Sequence, residues 1–341
     1  MTINRQWRLA RRPRGLVQET DFSWTDETVP AVGEGQLLVR NVCLSIDPTQ
    51  RGWMARDTYV PAIGIGEVIR SFGAGQVVES RHDGFKVGQL VQGGVGWQDY
   101  LLTDGGGSLP LSTLPPGADI PLALSVLGLT GITAYFGLLE VGRPQPGETV
   151  VVSGAAGATG SVVGQIARIQ GCRVVGIAGG PDKCRWLTEK AGFHEAIDYK
   201  SERVDRRLRA LCPDGIDLFF DNVGGEILDA ALASLAMRGR VVICGAIAGY
   251  NEKVPPPGPR NYLSLLVKRG RMEGFIVLDY MDRAGEAVES LSKWLGEGKI
   301  QHEEDVQQGL ENAPAALRRV FEGKNRGKQL VKIADPPLPT P

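Results

Sequence analysis

Hydrophobic and polar positions follow two different rhythms along this chain. Between about residues 36 and 102 the apolar runs are short, alternating and interrupted by Gly, Asp and Pro. Residues 36–42, 67–70, 75–80 and 89–92 each predict a half-buried strand, and their close spacing predicts a small antiparallel barrel or sandwich. Pro115-Pro116-Gly117 then marks a break. From about residue 122 to 277, continuous apolar strands alternate with helix-period segments. Residues 149–153, 173–178, 196–199, 216–221 and 239–244 predict strands, with a sixth at 273–277. Their β-branched, uninterrupted character fits strands buried on both faces. The intervening stretches at 161–170 and 182–191 predict helices, so this half is α/β with a parallel, doubly wound sheet. Beyond it, residues 283–295 predict a helix and 328–333 a strand, while the Pro-rich tail from residue 335 predicts disorder.

At the end of the first buried strand stands Ser153-Gly154-Ala155-Ala156-Gly157-Ala158-Thr159-Gly160. It offers Ala155-x-Gly157-x-x-Gly160 where a dinucleotide fingerprint has three glycines, and its position between strand and helix is the one the chemistry needs. Gly157 lets the backbone approach a pyrophosphate, and Gly160 lets the helix pack closely on the strand. The helix N-terminus then offers unpaired N–H groups to the phosphates. The second strand ends Ala178-Gly179-Gly180-Pro181-Asp182-Lys183, with no carboxylate at the tip to hold a ribose diol. Lys183 and Tyr199 are placed to meet a 2′-phosphate, which favours NADPH. Asp182, which can instead accept from a 2′-hydroxyl, keeps NADH open.

The 341 residues favour two domains. With 38 basic and 39 acidic residues the net charge is −1, which gives no electrostatic reason for a nucleic-acid partner. No apolar run is long enough to predict a membrane span. Five scattered cysteines read as reduced thiols, hence a cytoplasmic protein. The five arginines among residues 1–15 read as a basic first strand in preference to a transit peptide. A catalytic zinc needs three protein ligands. His82, His194 and His302 stand in no ligand-like spacing to a cysteine, and Cys43 has no evident partners, so no metal is expected. There is no G-x-S-x-G elbow for a serine hydrolase.

Several segments together resemble a known family. They are Leu127-Gly128-Leu129-Thr130-Gly131-Ile132-Thr133-Ala134-Tyr135-Phe136-Gly137-Leu138, Val151 to Gly157, Gly176 to Cys184, Ser45-Ile46-Asp47-Pro48, Gly96-Trp97-Gln98-Asp99-Tyr100, Phe220-Asp221-Asn222-Val223-Gly224-Gly225, Cys244-Gly245-Ala246-Ile247 and Gly323-Lys324-Asn325-Arg326-Gly327-Lys328. The resemblance is to the zinc-independent medium-chain dehydrogenases/reductases, in the branch of leukotriene B4 dehydrogenase/prostaglandin reductase, alkenal double-bond reductases and curcumin reductase. It implies a GroES-like β-barrel catalytic domain at residues 1–125, a Rossmann NADP-binding domain at 126–300, and a segment 301–341 that returns to the catalytic domain, with the cofactor in the cleft between domains. It further implies NADPH contacts from Gly157, Ala158, Thr159, Gly160, Lys183, Tyr199 and Asn222. The turn Cys244, Gly245, Ala246, Ile247, Ala248, Gly249 and Tyr250, the strand end Phe275, Ile276 and Val277, and Asn325 complete that set. Where the family usually has an aromatic after Asp47-Pro48, this chain has Thr49-Gln50.

Without a metal to polarise an alcohol, the expected chemistry is NADPH-dependent reduction of the C=C bond of α,β-unsaturated aldehydes or ketones. Hydride goes to the β-carbon and a hydrogen-bond donor stabilises the enolate. Tyr250 is the donor candidate, with packing against the cofactor as its other reading. Tyr59 and Thr49 are the candidate substrate contacts. A quinone oxidoreductase of the same superfamily and a non-catalytic NADPH-binding redox sensor remain alternatives. The resemblance and the apolar sixth strand suggest a homodimer.

Overall fold

The structure is a computed structural model that describes residues 1–254 and 256–339. Two units make up the chain: Met1–Leu124 together with the chain from Glu304 onward, and Ser125–Glu303. Among the described residues no helix is long and apolar enough to cross a membrane.

In the first unit the basic N-terminus forms β1 (Ile3–Leu9), paired antiparallel along its length with β2 (Phe22–Thr28). Its arginines are spent on fixed acids: Arg5 on Asp99, Arg8 on Glu27 and Arg11 on Asp21. Asn4 and Gln6 are buried, and both donate to the Gln98 side chain. Then come β3 (Leu37–Ser45), α1 (Thr49–Trp53), β4 (Phe72–Ser80), β5 (Leu90–Gly94), β6 (Tyr100–Thr103), β7 (Ser112–Thr113) and α2 (Ile120–Leu124). Residues 67–70, expected as a strand, make only one bridge, Val68 to Arg8. Their backbone is extended but divided between two partners, with Ile69 bonding Trp7 on one side and Trp97 on the other.

The second unit opens with α3 (Leu129–Phe136), which runs into a π-helical turn at Gly137–Gly142. Then β8 (Thr149–Ser153), α4 (Ala158–Ile169), β9 (Arg173–Ala178), α5 (Pro181–Glu189), β10 (Glu195–Asp198) and α6 (Val204–Leu211) alternate. They continue through β11 (Ile216–Asp221), α7 (Gly225–Ala233), β12 (Leu235–Ile243), α8 (Leu263–Lys268), β13 (Arg271–Gly274) and α9 (Ala284–Gly296). All six strands are parallel, in the order β10-β9-β8-β11-β12-β13. That is the 3-2-1-4-5-6 order of a Rossmann sheet, whose switch point lies between β8 and β11. Val151, Val175, Phe219 and Val241 pack with Leu208 of α6 and Leu232 of α7 on one face. Helix α4 covers β8 and β9 on the other, with α3 packed on α4 and α9 on α3, and the central strands are buried. β12 begins four residues before the predicted 239, its register shift lying beside Arg238 in left-handed conformation. The sixth strand is shorter than predicted: it ends at Gly274, and a 3-10 stretch starts at Val277.

The chain then re-enters the first unit through β14 (Glu304–Gln308), α10 (Ala313–Phe321) and β15 (Lys328–Lys332). There the seven-stranded sheet runs β14-β15-β3-β4-β5-β7, with β6 also on β3. Leu317 of α10 and Val331 join Leu9, Leu37, Trp53 and Trp97 in one core. The tail expected to be disordered is pinned over its described part: buried Gln76 both donates to and accepts from the Leu338 backbone, at 2.9 and 2.8 Å. Residues 340 and 341 of that expectation lie outside the described residues.

Candidate functional site

At the switch point the sheet's two halves separate, and the loops leaving β8 and β11 lie side by side. Gly154 turns the chain there with φ +57°, a left-handed value that suits glycine. The sharp turn therefore falls one residue before the fingerprint's first position. This lets Ala155 stand there, fully buried and donating to Ile177 O at 3.0 Å. Gly157 caps α4 in extended conformation. A Cβ on Gly160 would lie 2.4 Å from Gly154 O and 3.0 Å from Ala155 Cα, so only glycine lets α4 start this close to β8. The helix begins three residues earlier than the predicted 161, inside the turn itself, so its first N–H groups belong to the turn.

Asp221 ties this turn to its neighbours, a role that sequence reasoning missed. It is fully buried and accepts from Ser153 Oγ (2.7 Å), Val223 N (3.0 Å) and Gly224 N (3.0 Å). Ser153 Oγ in turn accepts from Asn222 N at 2.8 Å, and Asn222 Nδ2 donates to Ser153 O at 2.7 Å. The Asp221 carbonyl accepts from Cys244 N and Gly245 N, so one residue joins the ends of β8, β11 and β12. Burial pushes the Asp221 carboxyl upward, against the pull of the Gly224, Ser153 and Val223 donors. The signal available in the sequence was a carboxylate closing a buried run, Leu218-Phe219-Phe220-Asp221.

Along the same end of the sheet, Tyr199 follows β10 and its ring lies over Gly179 at the tip of β9. A Cβ there would come within 2.8 Å of the Tyr199 hydroxyl. Burial and the neighbouring Asp198 push the Tyr199 hydroxyl up, so it keeps its proton. Lys183 is half-buried in the first turn of α5. Asp182, the acid that keeps NADH open in the sequence, pairs at the surface with Arg185 at 3.2 Å.

After β12, Ala246 N donates to the Tyr250 hydroxyl at 3.2 Å, across the short 3-10 turn Ile247–Gly249. Burial and then Asp221 push the Cys244 thiol up to about 12. Phe275, Ile276 and Val277 do not form a strand end. Phe275 turns inward against Phe220 and Tyr280, its ring occupying the space a side chain on Gly137 would need.

The other candidates belong to the first unit. Thr49, opening α1, places its hydroxyl 2.9 Å from that of Tyr59, and the Tyr59 ring stands edge-on to Trp53. Two residues before Thr49, the half-buried Asp47 pairs at 2.6 Å with Nζ of the buried Lys328. Asn325 spends its amide within its own turn, donating to Gly327 O at 2.9 Å.

Among the described residues no three His, Cys, Asp or Glu side chains gather in a way that would hold a metal ion. The His82 and His194 imidazoles accept backbone N–H groups of Gly84 and Val174. Burial pushes the Cys43 thiol up to about 12.

Comparisons with known proteins extend over almost the entire chain. A family model described as the N-terminal domain of oxidoreductase matches residues 5–111, and one described as zinc-binding dehydrogenase matches residues 158–293. The NADPH-dependent curcumin reductase of Escherichia coli (strain K12) is 41% identical over 337 residues, 97% of this chain and 97% of that one. The 2-alkenal reductase (NADP(+)-dependent) of Nicotiana tabacum is 39% identical over 341 residues, 97% of this chain and 98% of that one. Among solved structures, CurA from Vibrio vulnificus in complex with NADPH superposes with a TM-score of 0.91 at 43% identity, over 97% of this chain and 100% of that one.

Proposed function

The chain belongs to the medium-chain dehydrogenase/reductase family, alongside the curcumin and alkenal reductases, and on that premise we propose that it reduces the C=C bond of α,β-unsaturated aldehydes and ketones with NADPH. The observation that carries this reading is the β8–α4 turn, where Gly160 meets Gly154 O too closely for any side chain and α4 starts at Ala158 with no side-chain cap on its first N–H groups. That cradle fits a pyrophosphate. Gly157, Ala158, Thr159 and Gly160 would hold it, with Asn222 and the turn from Cys244 through Gly245, Ala246, Ile247, Ala248 and Gly249 to Tyr250 beside it. Lys183 and Tyr199 would hold the 2′-phosphate, the one as a cation and the other as a hydroxyl donor. The resemblance adds Asn325 and the 275–277 segment to this set, although the Phe275 ring packs inward on Phe220 and Tyr280 and the Asn325 amide donates to Gly327 O.

NADPH, when bound, supplies a hydride for the β-carbon of the acceptor. The chain's own task is then to stabilise the charge that grows on the carbonyl oxygen. Tyr250 is assigned to this: its oxygen accepts from Ala246 N–H, which polarises the phenol and strengthens its O–H as a donor. Solvent or a hydroxyl supplies the α-proton. Thr49 and Tyr59 are assigned to the acceptor, which is a small molecule. The reaction needs no metal on this reading, and chelators would leave the rate unchanged.

The protein is further read as a cytoplasmic homodimer. All five cysteines are free, as expected in a reducing compartment. Edge strand β13 has one unpaired side, and next to it Leu263, Leu266 and Val267 of α8 are exposed together with Met237 and Met272. Leu266→Glu would then give a monomer by light scattering; a monomeric parent protein would reject the dimer.

The test of the activity is NADPH oxidation across enals, enones and quinones, repeated with NADH. Turnover of enones and enals with NADPH is expected. Turnover of quinones alone, or none at all, would remove the reading.

A further inference from the structure

The five N-terminal arginines have work that the proposed reaction does not yet use. Arg12 is exposed, and among the described residues no carboxylate lies within ion-pair distance of it. Its Nη1 instead donates to two backbone carbonyls, Met54 O at 2.7 Å and Ile63 O. Met54 is the C-cap of α1, so one of these is a helix-end carbonyl left without an intrahelical donor. The two carbonyls stand at either end of a ten-residue loop, 54–63, whose neck is also closed by Ile63 N donating to Trp53 O at 2.8 Å. Within the loop, Asp57 accepts from Ala62 N, and the Val60 side chain is buried in the core with that of Ile63. Tyr59 is carried at its tip, against Thr49 and Trp53.

The hold is returned. Arg51, 4% exposed, lies on α1 and donates to Pro13 O at 3.0 Å and Gly15 O at 3.1 Å, fixing the segment that supplies Arg12. Each arginine therefore satisfies carbonyls of the segment that carries the other. A guanidinium suits this because it offers several N–H groups, which Arg12 uses from Nη1 alone and Arg51 from Nε and Nη2, and its charge cannot be lost.

We propose that Arg12 and Arg51 form a reciprocal clamp that positions the 54–63 loop, and through it Tyr59, so that Arg12 sets the affinity for the acceptor without touching it. The inference rests on the assignment of Tyr59 and Thr49 to the acceptor. Arg12 is a positioning residue and can be replaced cleanly: with Arg11, Arg14, Gln18 and Asp21 it borders an open cavity of about 500 Å³, so trimming it leaves no buried void.

The experiment compares Arg12→Ala, Arg12→Lys and Tyr59→Ala in the full-length protein, by steady-state kinetics with an enone and by amide hydrogen exchange without substrate. Losing charge-assisted bonds of this kind is expected to raise the acceptor KM of Arg12→Ala about tenfold, with kcat and the NADPH KM each held within about twofold. Exchange at Ala62 and Ile63 is expected to rise by about the same factor, because local opening becomes easier. Arg12→Lys, which keeps the charge but not the guanidinium, recovers part of both. Unchanged exchange in Arg12→Ala overturns the clamp whatever the kinetics show. A raised acceptor KM in Tyr59→Ala but not in Arg12→Ala also overturns it, while leaving the acceptor assignment standing. Equal rises for NADPH and acceptor, with a lower Tm, would mean general destabilisation and overturn it too.

Discussion

The turn after β8 and the loop after α1 hold their residues by opposite means. In the turn, backbone meets backbone: Gly154 takes a left-handed φ, Gly157 caps the helix, and Gly160 lies against Gly154 O with no room for a methyl. Side chains enter only at its foot, where Ser153 of β8 donates to Asp221 of β11 and Asn222 donates to the Ser153 carbonyl. The 54–63 loop is the reverse. Its ten residues include no glycine and none takes a left-handed φ, and its ends are gathered by Arg12, which lies more than forty residues away in the chain, with Arg70 donating to Pro61 O at 2.8 Å. A cradle for an invariant group such as pyrophosphate can be built into the backbone. A surface for a variable acceptor is better built from side chains, which substitution can retune without disturbing the sheet.

That contrast can be broken at its rigid end first. Gly160→Val puts a branched side chain where even Cβ overlaps Gly154 O, and overpacking there displaces α4 from β8. NADPH binding, read by fluorescence titration, is expected to vanish, together with a lower Tm. Retained affinity would show that the turn is not the cradle. The next effect in size is on chemistry. Removing a donor aimed at developing negative charge costs about 100-fold in rate, so Tyr250→Phe is expected to lower kcat by about that factor with NADPH affinity unchanged. An unaltered kcat would reduce Tyr250 to a packing residue.

Lys183→Ala sharpens the comparison within the nucleotide side. Loss of one charge-assisted contact to a phosphate corresponds to about a 10- to 100-fold weaker Kd for NADPH, with the Kd for NADH unmoved. Equal loss for both would place Lys183 on the shared pyrophosphate instead. The smallest expected effect belongs to the adaptable side. Thr49→Val removes one neutral hydroxyl contact with Tyr59, and is expected to raise the acceptor KM about threefold while NADPH parameters stay fixed. A larger effect on NADPH than on acceptor would break the division of labour.

The same contrast explains what the sequence could disclose. β8, β9 and β11 were legible to the residue, because strands buried on both faces are written as unbroken β-branched and aromatic runs. The β8–α4 turn was legible as a tight glycine turn despite its alanine at position 155, since its glycines sit between such a strand and a helix. β2 was not, because Phe22-Ser23-Trp24-Thr25-Asp26-Glu27-Thr28 is mostly polar and owes its pairing to β1. Residues 67–70 read as a strand through their local alternation, yet their hydrogen bonds are divided between Trp7 and Trp97. Phe275 read as a strand end because nothing local announces that Gly137 leaves space for its ring. The Ser153–Asp221 link and the Arg12–Arg51 clamp join residues 68 and 39 positions apart, and no periodicity records such pairs. What is local and backbone-encoded can be read in one dimension; what is gathered by side chains from afar needs the fold.

The central claim is hydride delivery to the β-carbon of an activated double bond, and the fate of an isotopic label tests it most directly. With NADPH carrying deuterium at the transferable position of the nicotinamide, an enone product is expected to hold the deuterium at its β-carbon, read by proton NMR, with the carbonyl intact. Deuterium on the carbonyl carbon of an alcohol product, or NADPH left unoxidised by every enone and enal, would contradict it.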